Sequence, residues 1–135
     1  MKKLLAAAVI GLLSVVSFSA QAGEFGDLMA KVGAARSAVA AMIQHKDQRG
    51  AEQQKSLKDT ADAVSATLAK LKAPAGKEAQ FKELNETLAA FMKARDTEVV
   101  PLLLAGKDDE AKSLAGGVQK ERFAKITALT GELDK

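Results

Sequence analysis

Two arginines, Arg95 and Arg122, stand where the surrounding apolar spacing expects a hydrocarbon side chain. One interrupts the run Leu88, Phe91, Arg95, Val99; the other interrupts Val118, Arg122, Ile126. A guanidinium turned inward between helices presents a planar fork of donors that matches a carboxylate. The chemistry this spacing offers is capture of a small anion. The alternative is structural: the stems pack while the heads reach water or pair with Glu98 or Glu121. Pro101 removes a helical hydrogen bond to Thr97 and is expected to kink its helix beside this region. Gly116 and Gly117 permit a bend or a close approach at a comparable height. These three residues are read as conformational, the two arginines as ligand-binding.

Other reactive chemistry is poorly supplied. His45 is the only histidine and cysteine is absent, so neither a metal site nor histidine-based catalysis finds a partner. No strand precedes Gly116-Gly117, as a phosphate-cradling loop would require. The sequon Asn85-Glu86-Thr87 falls in the middle of a helical pattern. Met29, Met42 and Met92 read as adaptable core filler. Neither Trp nor Tyr is present, which argues against base stacking. No enzyme, metal or cofactor is expected.

Residues 1–22 carry Lys2 and Lys3, an apolar stretch from Leu4 to Val16, and Ala20-Gln21-Ala22. That order is a secretory signal, cleaved after Ala22. A membrane anchor normally wants about 18 clean apolar residues, and Ser14, Ser17, Ser19 and Gln21 interrupt this one. The expectation is a periplasmic protein of residues 23–135, with no membrane span after cleavage. The signal takes two of the 20 basic residues and none of the 17 acidic ones, leaving 18 against 17. A balance so close to neutral gives no electrostatic case for nucleic acid.

Four long helices must position the arginines. Phe25, Leu28, Val32, Ala35, Val39 and Met42 alternate steps of three and four through a helix over 27–48, with Asp27 as its cap. Leu57, Ala61, Val64, Leu68 and Leu71 do the same over 52–72, ended by Ala73-Pro74-Ala75-Gly76. A third runs from Lys77 to a C-terminal Gly106, and a fourth begins behind Asp108-Asp109-Glu110 and carries Ala111, Val118, Ile126, Leu129 and Leu133 inward. Helices of more than 20 residues joined by short connections pack as antiparallel neighbours. The expected fold is all-α: one domain, an antiparallel up-down-up-down four-helix bundle. Arg95 and Arg122 stand 11 and 16 residues from Gly106. At 1.5 Å per residue their heights on neighbouring helices differ by roughly 7 Å, close enough to converge.

The stretch from Phe91 through Arg95-Asp-Thr-Glu-Val-Val-Pro101 to Ala105-Gly106 and Glu110-Ala111, with Gly117-Val-Gln-Lys-Glu-Arg122-Phe123, resembles the four-helix-bundle sensor domains of methyl-accepting chemotaxis receptors and sensor kinases. The resemblance covers the third and fourth helices, about 45 residues. It implies a module outside the cytoplasmic membrane that reports occupancy of a small ligand, with a homodimer or a membrane sensor as partner; the two arginines point to a small anionic ligand. With the chain ending at Lys135, the expectation is a stand-alone module. A second resemblance is to periplasmic b-type cytochromes, through Met29 and the turn from Gly106 to Ala111; no His, Met or Cys follows Met92 to serve as the second haem ligand. A helical periplasmic chaperone or stress protein is a third class, ranked lower because exposed aromatic surface is lacking.

Overall fold

All six apolar residues of the first seam are buried along one helix, α1, spanning 24–44 in a computed structural model that describes residues 24–135. The expected export signal lies outside the described residues. Helix α2 follows over Ala51–Ala69 and α3 over Glu78–Ala94. A π-helical turn, Arg95–Val99, leads into α4, Val100–Leu104. Helices α5, Asp108–Gly116, and α6, Val118–Leu133, complete the chain. Among the described residues the fold is all-α and bundle-like, without a strand.

Several boundaries differ from the sequence expectation. Asp27 lies within α1 rather than at its cap, and sits 3.9 Å from Lys31. The helix stops at residue 44, short of 48, because Arg49 Nε donates to the Met42 carbonyl at 2.7 Å and takes the place of the next helical donor. Asp108 is the first residue of α5, and its cap position belongs to Lys107. With 19 residues α2 is slightly shorter than expected from periodicity, whereas the expected third helix is continuous over 78–104 through the π turn. Gly106 does end α4, with φ of 78°. Lys107 N–H donates to the Leu102 carbonyl at 2.8 Å and Gly106 N–H to Leu103 at 3.1 Å, the paired bonds of a Schellman turn.

Pro101 and Gly117 shape the second half. The expected effect of Pro101 takes the form of the preceding π turn, in which Val100 N–H reaches back to the Arg95 carbonyl. The wider turn relieves the contact between the proline ring and the carbonyl one turn earlier. Gly117 divides the expected fourth helix in two. A Cβ there would lie 2.8 Å from the Ser113 carbonyl oxygen, whereas one at Gly116 would meet open space. Gly117→Ala is therefore expected to destabilise the protein by about 1–3 kcal/mol. Gly116→Ala should stabilise it by up to about 1 kcal/mol through the unfolded chain. Urea unfolding followed by circular dichroism checks both signs.

Two apolar clusters fill the interior. The first joins Phe25, Leu28, Val32 and Ala35 of α1 to Val64, to Leu84, Leu88 and Phe91 of α3, and to Ile126, Leu129 and Leu133 of α6. The second joins Val39 and Met42 to Leu57, Val99, Val100, Leu103 and Ala111. Full burial of each large aliphatic side chain contributes about 1.5–3 kcal/mol. Along α1 the division falls between Ala35 and Val39, and along the third helical stretch between Phe91 and Val99. Arg95 occupies that division. Beyond the first cluster, Phe25 N–H donates to Asp134 Oδ1 at 3.1 Å and Lys77 Nζ to the Glu132 carbonyl at 2.7 Å. Beyond the second, Arg49 joins the end of α1 to Leu103 and Asp108.

Candidate ligand site

Arg95 is 2% exposed, and its guanidinium is committed within the protein. Nη1 donates to the Ala35 carbonyl at 3.2 Å and to Thr60 Oγ1 at 3.0 Å. Nη2 donates to the Leu57 carbonyl at 2.7 Å, and Nε to Asp96 Oδ1 at 2.7 Å. Four of its five N–H donors are thereby used on α1, α2 and its own π turn. Its acidic partner is Asp96, not the Glu98 considered from sequence. The π turn supplies the local geometry, placing Arg95 and Asp96 together at the seam.

Beside Arg95 lies a cavity of about 280 Å³, at the lower end of the size range of small-molecule sites. Val39, Ala40 and Ile43 of α1 form one side, and Phe91 and Val99 form another. Ala115 and Gly116 of α5 contribute little side-chain volume, which leaves the space open. Gln44, at the end of α1, and Gln119 supply amides. Arg36, Arg95 and Lys112 supply positive charge, and no carboxylate lines the cavity. Arg36 and Lys112 are exposed and have no ion-pair partner among the described residues. The Arg36 guanidinium carbon sits 4.3 Å from the centre of the Phe123 ring, which leans in turn on Phe91 at 6.0 Å. That cation–π contact restricts the Arg36 head on the face of α6.

Arg122 lies elsewhere. It lines a second groove with Glu86, Thr87, Ala90, Val118, Glu121 and Lys125, so the two seam arginines do not share a cavity. Its Nη1 donates to Gln119 Oε1 at 2.9 Å, and no ion pair with Glu121 forms. Gln119, 5% exposed, donates through Nε2 to the Phe91 carbonyl at 2.9 Å. Arg122 thus touches the cavity only through the amide it orients. Of the residues read as conformational, Gly116 lines the cavity, while Pro101 and Gly117 act on the helices that frame it.

The other candidates are placed plainly. His45 is exposed at the end of α1. Asn85 Nδ2 donates to the Phe81 carbonyl at 2.8 Å, inside α3. Met42 is fully buried, and Met29 and Met92 pack against the first cluster. Among the described residues no cluster of His, Asp and Glu is arranged to hold a metal ion, and no helix is long and apolar enough to cross a membrane.

Sequence reasoning missed Arg36, Lys112, Gln119 and Arg49. Val118, expected inside, is 41% exposed, and Gln119 takes its place. The break at Gly117 turns the first residues of α6, so that Gln119 rather than Val118 faces inward, while Ile126, Leu129 and Leu133 keep the expected face. Arg49 donates to Met42 O, to Leu103 O at 3.0 Å and to Asp108 Oδ1 at 2.8 Å. Lys46 Nζ adds a contact to Asp108 Oδ2 at 3.4 Å. The Arg49 hydrogen bond, with help from Lys46, holds the Asp108 carboxyl below its ordinary value. Comparison of the chain with known family models, curated proteins and solved structures gave no match.

Proposed function

We propose that this chain is an exported, non-enzymatic protein that binds a small anionic ligand within an antiparallel up-down-up-down four-helix bundle, for sensing or scavenging. The observation that carries the reading is the cavity beside Arg95: apolar walls, two cations without ion-pair partners among the described residues, Arg36 and Lys112, and no acid in its lining. In such a site a negative group finds partners and a positive one finds none. The topology is supported by the ends of the molecule. Phe25, Lys77 and Asp134 meet at one end, and Met42, Arg49, Leu103 and Asp108 meet at the other, as alternating chain directions require. The resemblance of the second half to chemoreceptor sensor domains gives such binding a role, the report of ligand occupancy to a partner outside the cytoplasmic membrane.

A thermal-shift screen of small organic and inorganic anions against the exported protein tests this. At least one anion should raise the melting temperature with a saturable concentration dependence, since a ligand bound only to the native state stabilises it by mass action. No shift with any anion defeats the reading. Intact-mass measurement on the same sample should give a chain beginning at Gly23; retention of residues 1–22 defeats the export reading.

A further inference from the structure

We infer that the ligand is a carboxylate with an apolar body, its head held by Arg36 and Lys112 and its hydrocarbon lodged between α1 and the π turn. This rests on the anion reading and narrows it to a chemical class. Two observations lead there. First, Arg95, the most buried cation of the cavity, has four of its five donors bound to Ala35, Leu57, Thr60 and Asp96. A ligand head seated on Arg95 would have to displace bonds that join three helical elements, so Arg95 is a positioning residue. Second, the cations without ion-pair partners, Arg36 and Lys112, are exposed, and the apolar surface beside them belongs to the partly buried Ala40, Ile43 and Ala115, over a buried floor of Val39, Phe91 and Val99.

Charge at an open edge and hydrocarbon inside is the complement of an amphipathic monoanion. A fully polar anion such as sulfate would leave the partly buried Ala40, Ile43 and Ala115 facing water, and would gain nothing from them. A neutral hydrocarbon would leave both cations unpaired. Arg36 is already held against Phe123, so little of its freedom remains to be lost on binding.

Isothermal titration calorimetry on the exported protein with hexanoate, acetate, 1-hexanol and sulfate reads the class. Hexanoate should bind about 100-fold more tightly than acetate, from the added methylenes. It should bind about tenfold more tightly than 1-hexanol, from the charge-assisted bonds. Arg36→Gln and Lys112→Gln should each weaken hexanoate about tenfold with the helical signal intact. Ala115→Leu, which fills the cavity, should abolish binding. The filling variant reads the site even if one cation variant loses its fold. Acetate or sulfate binding as tightly as hexanoate overturns the inference while leaving the broader anion reading in place. Hexanoate affinity unchanged in both cation variants overturns the assignment of the head. If no anion binds at all, both readings fall together.

Discussion

Arg95→Ala is expected to lower the unfolding free energy by about 3 kcal/mol, with the loss visible as a lower urea midpoint at unchanged slope. The substitution removes the hydrogen bonds that join Ala35, Leu57 and Thr60 to the π turn. It also opens a void between the two apolar clusters, at a residue that is 2% exposed. Relief of a buried cation's desolvation opposes these losses. Asp96, whose side chain is 43% exposed, returns to water when its partner goes. Arg95→Met separates the contributions: it refills the space without the charge and should fall within about 1 kcal/mol of the parent. Circular dichroism is the suitable probe, since the chain has neither Trp nor Tyr. Should Arg95→Ala cost under 1 kcal/mol and abolish hexanoate binding, Arg95 would be a ligand contact and the positioning role would be wrong.

The same arginine marks how far a sequence can be read. Its place on a seam was legible because Phe91 and Val99 flank it at helical spacing, and it is indeed buried. What its donors reach was not legible. Their partners Ala35, Leu57 and Thr60 are 60, 38 and 35 residues away, and two of the three acceptors are main-chain carbonyls, which every residue possesses. Periodicity located the buried face of α1 in full, and Leu84, Leu88 and Phe91 of α3. It placed Val99, Ala111, Ile126, Leu129 and Leu133 correctly as well, and erred beside the break at Gly117, where the backbone departs from α geometry. Hence Val118 was expected inside and Gln119 was overlooked.

The cavity was illegible for a different reason. Ala40, Ala115 and Gly116 line it, and in a sequence two alanines are merely good helix formers. A void arises only when small residues from separate helices face one another. Arg36 and Lys112 looked like ordinary solvated charges, which each would be without that void.

At the other end of the molecule, Arg49→Ala should lower the unfolding free energy at neutral pH by about 2–4 kcal/mol. It should also flatten the pH dependence on the acid side. The side chain is 11% exposed and binds the last turn of α1, the Schellman turn after α4, and Asp108 at the start of α5. The end of α1 and the α4–α5 connection, whose Leu103 and Asp108 lie 54 and 59 residues beyond Arg49, lose their common partner together. Arg49→Lys would keep the charge but lose the fork, and should recover only part of the loss. Asp108 supplies the pH dependence. Its folded pKa lies below the ordinary 3.8, chiefly because Arg49 donates to the ionised carboxylate. The folded protein therefore releases this proton more readily than the unfolded chain does. The resulting stability is fully present above the unfolded pKa of about 3.9 and is lost as pH falls through the lower, folded value. Position adds to it, because a carboxylate in the first turn of α5 faces the positive end of the helix. The gap between the urea midpoints of the parent and Arg49→Ala should narrow from neutral pH to about pH 3 as the Arg49–Asp108 attraction weakens, leaving the share owed to the Met42 and Leu103 carbonyls. Asp108→Asn should reproduce the flattened profile. If the parent and Arg49→Ala instead lose stability in parallel through that window, the linked proton belongs to another carboxylate.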